Sequence, residues 1–354
     1  MTKKMVVLLG LLVLSVVIII HELGHFLAAR AVGVRVYEFA VGFGKKLLSV
    51  QAGQTEFSLR LVPLGGFVAL AGLDEGEEVA PEEDFKNKSY LARLFIILAG
   101  PLFNFISAVF FLFLSLWIYG LAIPSERPVV GQVMRGSPAE DAGFKKGDIV
   151  LFVDGVQINV FADIAKAVQE SAKDKIEFKI KRGQEELTLT VKPRELKESE
   201  KKVLGGGINK LIGIRVEENF QPVSLGESIK LAIFKTVEVS ALIVKLVKDL
   251  FSGEASKEDL AGPVYIISEA GQSAKEGFKS VLSFLFIISV NLALINLFPI
   301  PLLDGGHIVV LSIESLLRRE LPFFLKNALN ILGFVILVGL MLLALKNDIV
   351  RLIY

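Results

Sequence analysis

A polytopic α-helical membrane protein, with about four spanning helices, a small membrane-associated β-element and one extramembrane α+β domain, is the fold class this sequence predicts. Three observations carry that prediction. The 354 residues are 53% hydrophobic with a mean hydropathy of +0.59, too apolar for an ordinary soluble chain, while 22% charged residues leave room for a water-exposed domain. Four long stretches are almost free of charge. Between the second and third of them the composition shifts to that of a soluble domain. The net charge of +1 gives no electrostatic footprint for nucleic acid, and the absence of cysteine rules out disulfides and thiolate metal ligands.

The first span, residues 1–32, organises the chain. Met5 to Ile20 carry no charge, His21-Glu22-Leu23-Gly24-His25 follows, and the next charge after that motif is Arg30. H-E-x-x-H sets two histidines at i and i+4 on one helical face, where they can bind one zinc, with a glutamate placed to take a proton from water. Charge inside a membrane-length run is costly and normally tied to function. Two of the three histidines in the chain sit here. Met1 to Ala29 also resembles a secretory signal, but cleavage would discard the metal motif, so an uncleaved span of about 25 residues is predicted. From Met5 to His21 such a helix climbs about 24 Å, which puts the metal towards the leaflet far from the N-terminus.

Residues 33–74 form the β-element. In Thr55 to Val62, Phe57, Leu59 and Leu61 alternate with Glu56, Ser58 and Arg60, the two-residue period of a strand. Pro63-Leu64-Gly65-Gly66 is expected to turn the chain into another strand, Phe67 to Ala71. These strands either cap the structure or offer an edge to an extended substrate. The loop 75–90, acidic from Asp74 to Asp84, is expected to be solvated. The second span, 91–123, is uncharged from Leu94 to Ile123 and contains Ala99-Gly100-Pro101-Leu102-Phe103-Asn104, small and helix-breaking residues suited to close packing. Asn104 is read as a packing hydrogen bond, with a place at the metal site as the alternative.

Residues 124–194 form the soluble domain. A strand is predicted over Val129 to Met134, a helix over Phe161 to Ser171, and strands over Lys175 to Lys181 and Glu186 to Val191 with Arg182-Gly183 at the turn. Ser137-Pro138-Ala139-Glu140-Asp141-Ala142-Gly143, then Gly147-Asp148-Ile149, then Asp154-Gly155, resembles PDZ domains of bacterial proteases, and the set occurs once. PDZ modules bind extended peptides by strand addition, so a peptide or an extramembrane substrate segment is the partner this resemblance implies. Residues 195–275 are read as a linker and an amphipathic helix. The linker is charged from Glu195 to Lys202 and has a joint at Gly205-Gly206-Gly207 and a short strand over Leu211 to Val216. The helix, Ser224 to Phe251, lies on the membrane or against the bundle.

The third span, 276–304, ends in Asn296-Leu297-Phe298-Pro299-Ile300-Pro301-Leu302-Leu303-Asp304-Gly305-Gly306-His307. Two prolines must break the helix, and Asp304 lies just beyond. A catalytic zinc usually takes three protein ligands plus water, which makes Asp304 the preferred third ligand. His307 is the alternative, or a residue that orders the site from outside. Residues 305–326 connect to the last span, 327–346, and 347–354 are a tail. Alternating spans bring the end of the first helix and Asp304 to one face, opposite the soluble domain.

H-E-x-x-H in a first span, Gly42-Phe43-Gly44, Pro63-Leu64-Gly65-Gly66-Phe67-Val68, Gly100-Pro101 with Asn104, and Asn-x-x-Pro-x-Pro-x-x-Asp-Gly-Gly together resemble the site-2 proteases of the bacterial RseP type, over essentially the whole chain. That resemblance implies an intramembrane zinc metalloprotease that cleaves single-span membrane proteins, such as anti-sigma factors or signal-peptide remnants. It implies one zinc held by His21, His25 and Asp304, Glu22 as catalytic base, and Asn296 as a residue that holds the substrate backbone or stabilises the reaction centre. Gly65, Gly66, Phe67, Val68, Ala69 and Leu70 would present an extended substrate. The chain departs from the type in having one PDZ domain rather than two, and in Ala69, where related sequences carry a longer polar side chain.

Two other functions fit parts of the sequence: a membrane-bound PDZ adaptor with a purely structural zinc, and a zinc transporter. The transporter lacks a series of polar residues in several spans. Lys3 and Lys4 favour a cytoplasmic N-terminus, whereas Arg30, Arg35, Lys45, Lys46, Lys86, Lys88, Arg93, Arg318, Arg319 and Lys326 favour the opposite face. The larger cluster and the resemblance place the chain in the bacterial inner membrane, with the zinc near the cytoplasmic side and the PDZ domain outside.

Overall fold

A computed structural model describes residues 3–72, 79–134, 136–196, 209–252 and 261–353. Residues 74–78 of the acidic stretch, most of the charged linker and the glycine triplet lie outside the described residues. The chain forms two compact units, Met1–Ile118 together with Ser224–Tyr354, and Tyr119–Val223.

The first unit begins with α1 (Lys3–Ala31), whose uncharged run from Met5 to Ile20 pairs its backbone groups within the helix, as a bilayer requires. Strands β1 (Val36–Ala52) and β2 (Thr55–Leu70) follow. β2 is one element, but it reverses direction around Pro63–Gly66, where the sequence predicts a turn into Phe67–Ala71, with Gly65 at φ +131° in the reversal. Each strand is long enough to be used twice. Val50↔Phe57 and Ala52↔Thr55 form the hairpin end, whereas Phe39 pairs with Val68 on one side and with Phe57 on the other. Residue numbers rise together from Glu38↔Glu56 to Val41↔Leu59, so that contact runs parallel, and they run oppositely from Val36↔Leu70 to Val41↔Gly66. Four strand segments therefore lie in the order 46–52, 55–60, 36–41, 66–70, and among the described residues Gly66 to Leu70 is an open edge. One sheet face meets α1 through Phe26, whose ring centroid lies 5.7 Å from those of Phe39 and Phe57. The helix α2 (Tyr90–Tyr119) closes this part of the unit.

Among its described residues, the second unit holds β3 (Leu121–Pro124), β4 (Val130–Val133), α3 (Pro138–Asp141), β5 (Ile149–Val153), β6 (Val156–Gln157), α4 (Phe161–Glu170), β7 (Ile176–Arg182), β8 (Glu185–Val191), β9 (Arg194–Glu195), β10 (Lys210–Leu211), β11 (Ile214–Val216) and β12 (Glu218–Gln221). Its core strands run β6-β5-β7-β8, over which Ile164 and Val168 of α4 and Phe178, Ile176 and Ile180 of β7 form the interior. The unit is longer than the 124–194 read from the sequence, because β11 pairs with β4 and β12 with β3. The single strand expected over Leu211 to Val216 is split at Gly213 (φ +86°) into β10 and β11, which take different partners. Asp148 is fully buried and accepts from Arg182 Nε at 2.7 Å, Arg182 Nη2 at 2.8 Å and Lys145 N at 2.8 Å. Removing one partner of such a pair strands a buried charge. Arg182→Met is therefore expected to destabilise this unit by about 3 kcal/mol, the low end for a broken buried pair because water reaches the guanidinium, read by chemical denaturation of the full chain.

The first unit resumes with α5 (Leu225–Phe251), α6 (Pro263–Glu276), α7 (Phe278–Leu297), α8 (Asp304–Leu317) and α9 (Phe323–Ile353). Among the described residues, four helices are long and apolar enough to cross a membrane: α1, α2, α7 and α9. The helix α6 has no counterpart in the sequence reading. It packs on α1 through two glycines: a Cβ at Gly10 would lie 2.2 Å from Ile267 O, and one at Gly271 would lie 2.1 Å from Val6 O. Its first turn is capped from α9, where buried Asp348 accepts from Gly262 N, Val264 N and Tyr265 N at 2.9, 2.9 and 3.1 Å.

Candidate active site

His21 and His25, one helical turn apart on α1, set their Nε2 atoms 3.3 Å from each other. The third arm arrives from the break after α7. Phe298 ends that helix, Pro299 and Pro301 cannot continue it, and Leu303 N bonds Ile300 O at 3.1 Å across a turn with Pro301 and Leu302 at its centre. Leu302 sits at φ +76° where such a turn usually takes glycine, a strained residue two positions from Asp304. The glycines after Asp304 let α8 start against this turn, since a Cβ at Gly305 would lie 2.2 Å from Phe298 O and one at Gly306 2.3 Å from Ile300 O.

Asp304 is thereby aimed at both imidazoles. Its Oδ2 lies 3.3 Å from His21 Nε2, its Oδ1 lies 3.5 Å from His25 Nε2, and Oδ2 is buried without a hydrogen bond of good geometry. Among the described residues these three form the one group of histidine and carboxylate ligands within 4.8 Å of one another. Separations of 3.3 to 3.5 Å are what a tetrahedral zinc asks for, since ligands about 2.05 Å from the ion at the tetrahedral angle stand about 3.3 Å apart. Two imidazole nitrogens and a carboxylate oxygen, with no cysteine in the chain, form a donor set that suits zinc. The residues present fit the ion.

The imidazoles are held from α2. His25 Nδ1–H donates to Ile96 O at 2.8 Å, which leaves Nε2 with its lone pair free to ligate. His21 Nδ1 lies 3.1 Å from the Asn104 amide, whose Oδ1 is otherwise buried without a partner. With the amide turned so that Oδ1 accepts from Nδ1–H, His21 also offers Nε2. Asn104 is completely buried and belongs to the site, which corrects the preference for a packing role. The signal for it was present as Gly100 and Asn104 at i and i+4, because Gly100 lies against the same rings, a Cβ there falling 2.2 Å from His25 Nε2.

A cleft of about 940 Å³ opens onto these atoms, lined by Glu22, His21, His25, Asn296, Asp304 and His307. Asn296 Nδ2 is 3.1 Å from His21 Nε2. His307 lines the cleft outside the ligand group, so the structure favours Asp304 over it. Of the six β-element residues expected to present substrate, Gly65, Gly66, Phe67, Val68 and Leu70 line the cleft and Ala69 does not. Gly66 passes close over the glutamate: a Cβ there would lie 2.9 Å from Glu22 Cγ.

The profile of peptidase family M50 covers residues 9–340. A protein of Clostridium perfringens named "Putative zinc metalloprotease" is 35% identical over 349 residues, 98% of this chain and 99% of that one. Proteins of the same name from Campylobacter jejuni and Rickettsia conorii are 35% and 32% identical over 97% and 96% of this chain, and over 92% and 97% of their own lengths. The helices, the zinc-type ligand set and these relatives agree over nearly the full length, and the chain belongs to peptidase family M50, the site-2 proteases.

Proposed function

We propose that this protein is an intramembrane zinc endopeptidase that cleaves the membrane segments of single-span proteins, with one zinc per chain. The observation that carries the reading is the opening of one cleft onto both the His21–His25–Asp304 group and the open edge Gly66 to Leu70. Zinc bound there supplies a Lewis acid that acidifies water and polarises a carbonyl. Glu22 takes the proton of the attacking water on its carboxylate and hands it to the leaving amide nitrogen. Asn296 donates from Nδ2 towards the reacting carbonyl or the substrate backbone. A helical substrate hides its peptide bonds within its own hydrogen bonds, so it must unwind before cleavage. The edge strand accepts the N–H and C=O groups thus exposed.

In the same reading the second unit is a PDZ module that binds a peptide or an extramembrane segment of the substrate. Support comes from Ser137, which caps α3 by accepting from Glu140 N, and from the two-residue turn Asp154-Gly155 between β5 and β6. The bacterial relatives support a place in the bacterial inner membrane, and the larger cation cluster supports the zinc near its cytoplasmic side. A structural zinc in an adaptor is disfavoured, because such sites are closed by four protein ligands and this group has three.

Purified protein incubated with single-span membrane proteins should give products whose masses locate a cut inside the membrane segment, and a chelator should stop the reaction until zinc is restored. Intact substrates throughout would sink the reading. Proline placed in turn at each of residues 67–70 is expected to lower cleavage at least ten-fold, by about the loss of one or two backbone hydrogen bonds, with zinc content unchanged.

A further inference from the structure

The edge strand is braced from the far side of its sheet. Glu38, Ala40, Ser58, Arg60 and Phe67 share the face turned away from α1, and Ala40 in the central segment is small enough for a long side chain to lie across it. Arg60 does so. Its Nη2 donates to Glu38 Oε1 and Oε2 at 2.8 and 2.9 Å and its Nε to Oε1 at 3.2 Å, a forked pairing, and Nη1 donates to Gly44 O at 2.9 Å. Held there, its guanidinium carbon stands 4.9 Å from the centre of the Phe67 ring. Phe67 in turn stacks on Phe43, with centroids 6.3 Å apart and planes 16° from parallel, and Phe43 closes over Gly65, where a Cβ would meet its ring at 2.1 Å. Phe43, Gly65 and Phe67 all line the cleft, and Arg60 does not. Burial pushes the Glu38 carboxyl up, but hydrogen bonds from Ser58 and Arg60 outweigh it and hold the group below its ordinary value, so the pair is ionised at neutral pH.

We propose that Arg60 is a positioning residue: clamped by Glu38, it fixes Phe67 and with it the edge strand in the conformation that receives an extended substrate. The inference rests on the proteolytic reading above and assigns that reaction a residue outside the cleft. Arg60 touches neither substrate nor metal ligands, so its loss acts on substrate capture and leaves the chemical step.

The test uses full-length detergent-solubilised protein with Arg60→Met, and Glu38→Gln as a second way to release the clamp. Amide hydrogen exchange at residues 65–70, measured without substrate, is expected to quicken about ten-fold in both variants, the factor that corresponds to one desolvated cation–π contact. With a substrate that the wild type cleaves, KM is expected to rise by about the same factor while kcat stays within about two-fold, the pattern of lost binding rather than lost catalysis. Adding Arg60→Met to Phe67→Leu should raise KM no further, since the ring it acts through is already gone. Unchanged exchange, a fall confined to kcat, or an undiminished effect in the Phe67→Leu background overturns the proposal. A wild type that cleaves nothing overturns the proteolytic reading instead, and exchange still decides the clamp.

Discussion

Glu22→Gln is expected to lower the cleavage rate by about 10²- to 10⁴-fold, the usual worth of a positioned proton acceptor, with the zinc content of the purified protein unchanged. Glutamine keeps the size and hydrogen-bonding reach of glutamate but cannot take a proton from water. Glu22 stands outside the group formed by His21, His25 and Asp304, yet lines the same cleft, so its loss removes chemistry without removing a ligand. Substrate should still bind, because the edge strand over Glu22 is intact, and a stalled complex is the expected form. Residual activity within a few-fold of the wild type would mean that another group takes the proton. Loss of zinc together with activity would mean that Glu22 is a ligand.

The cluster of His21, His25 and Asp304 is legible in the sequence because its chemistry stands out against its background. A glutamate and two histidines inside a membrane-length apolar run have few structural excuses, and an aspartate after Pro-x-Pro has nowhere to be but at the end of a broken helix. Asn104 was less legible, because an amide in a membrane helix serves packing as readily as a site. The distinction lies in which face of α2 meets α1, and Gly100 four residues earlier marks that face. Pro63 and Gly65 announce the reversal of β2: 56–59 run parallel to 38–41 and 66–70 run antiparallel to 36–41, and the proline, which lacks an N–H, falls in the unpaired bend between them. The helix α6 escaped notice because Glu269, Gln272, Ser273 and Lys275 dilute its apolar face, though Gly262-Pro263 is a helix start. Strands of two to four residues, such as β9 to β12, are too short to carry a period at all, so the extent of the second unit could emerge only from pairing.

Gly100→Ala is expected to abolish cleavage and weaken zinc binding by about 100-fold, the upper range for changes to the residues around metal ligands, although it adds one methyl group and touches no ligand chemically. α1 and α2 meet with almost no space between them: a Cβ at Gly24 would lie 2.3 Å from Ala99 O, and one at Gly100 would lie 2.2 Å from His25 Nε2 and 2.8 Å from His21 Cε1. The helices cannot part to admit the methyl without also stretching the 2.8 Å bond from His25 Nδ1 to Ile96 O and the 3.1 Å contact between His21 and Asn104. The imidazoles must therefore give way, and they turn out of the geometry that Asp304 shares. Helix propensity works in the opposite direction, since alanine is favoured over glycine by about 0.8 to 1 kcal/mol in a helix interior, so the variant should fold. Gly339→Ala on α9, where nothing lies within 4 Å of the added methyl, is the matched control and should leave both zinc and activity alone. Competition titration with a chelator separates the outcomes. If Gly100→Ala holds zinc as tightly as the wild type and still cleaves, the close contact between α2 and the histidines does not set the geometry of the site.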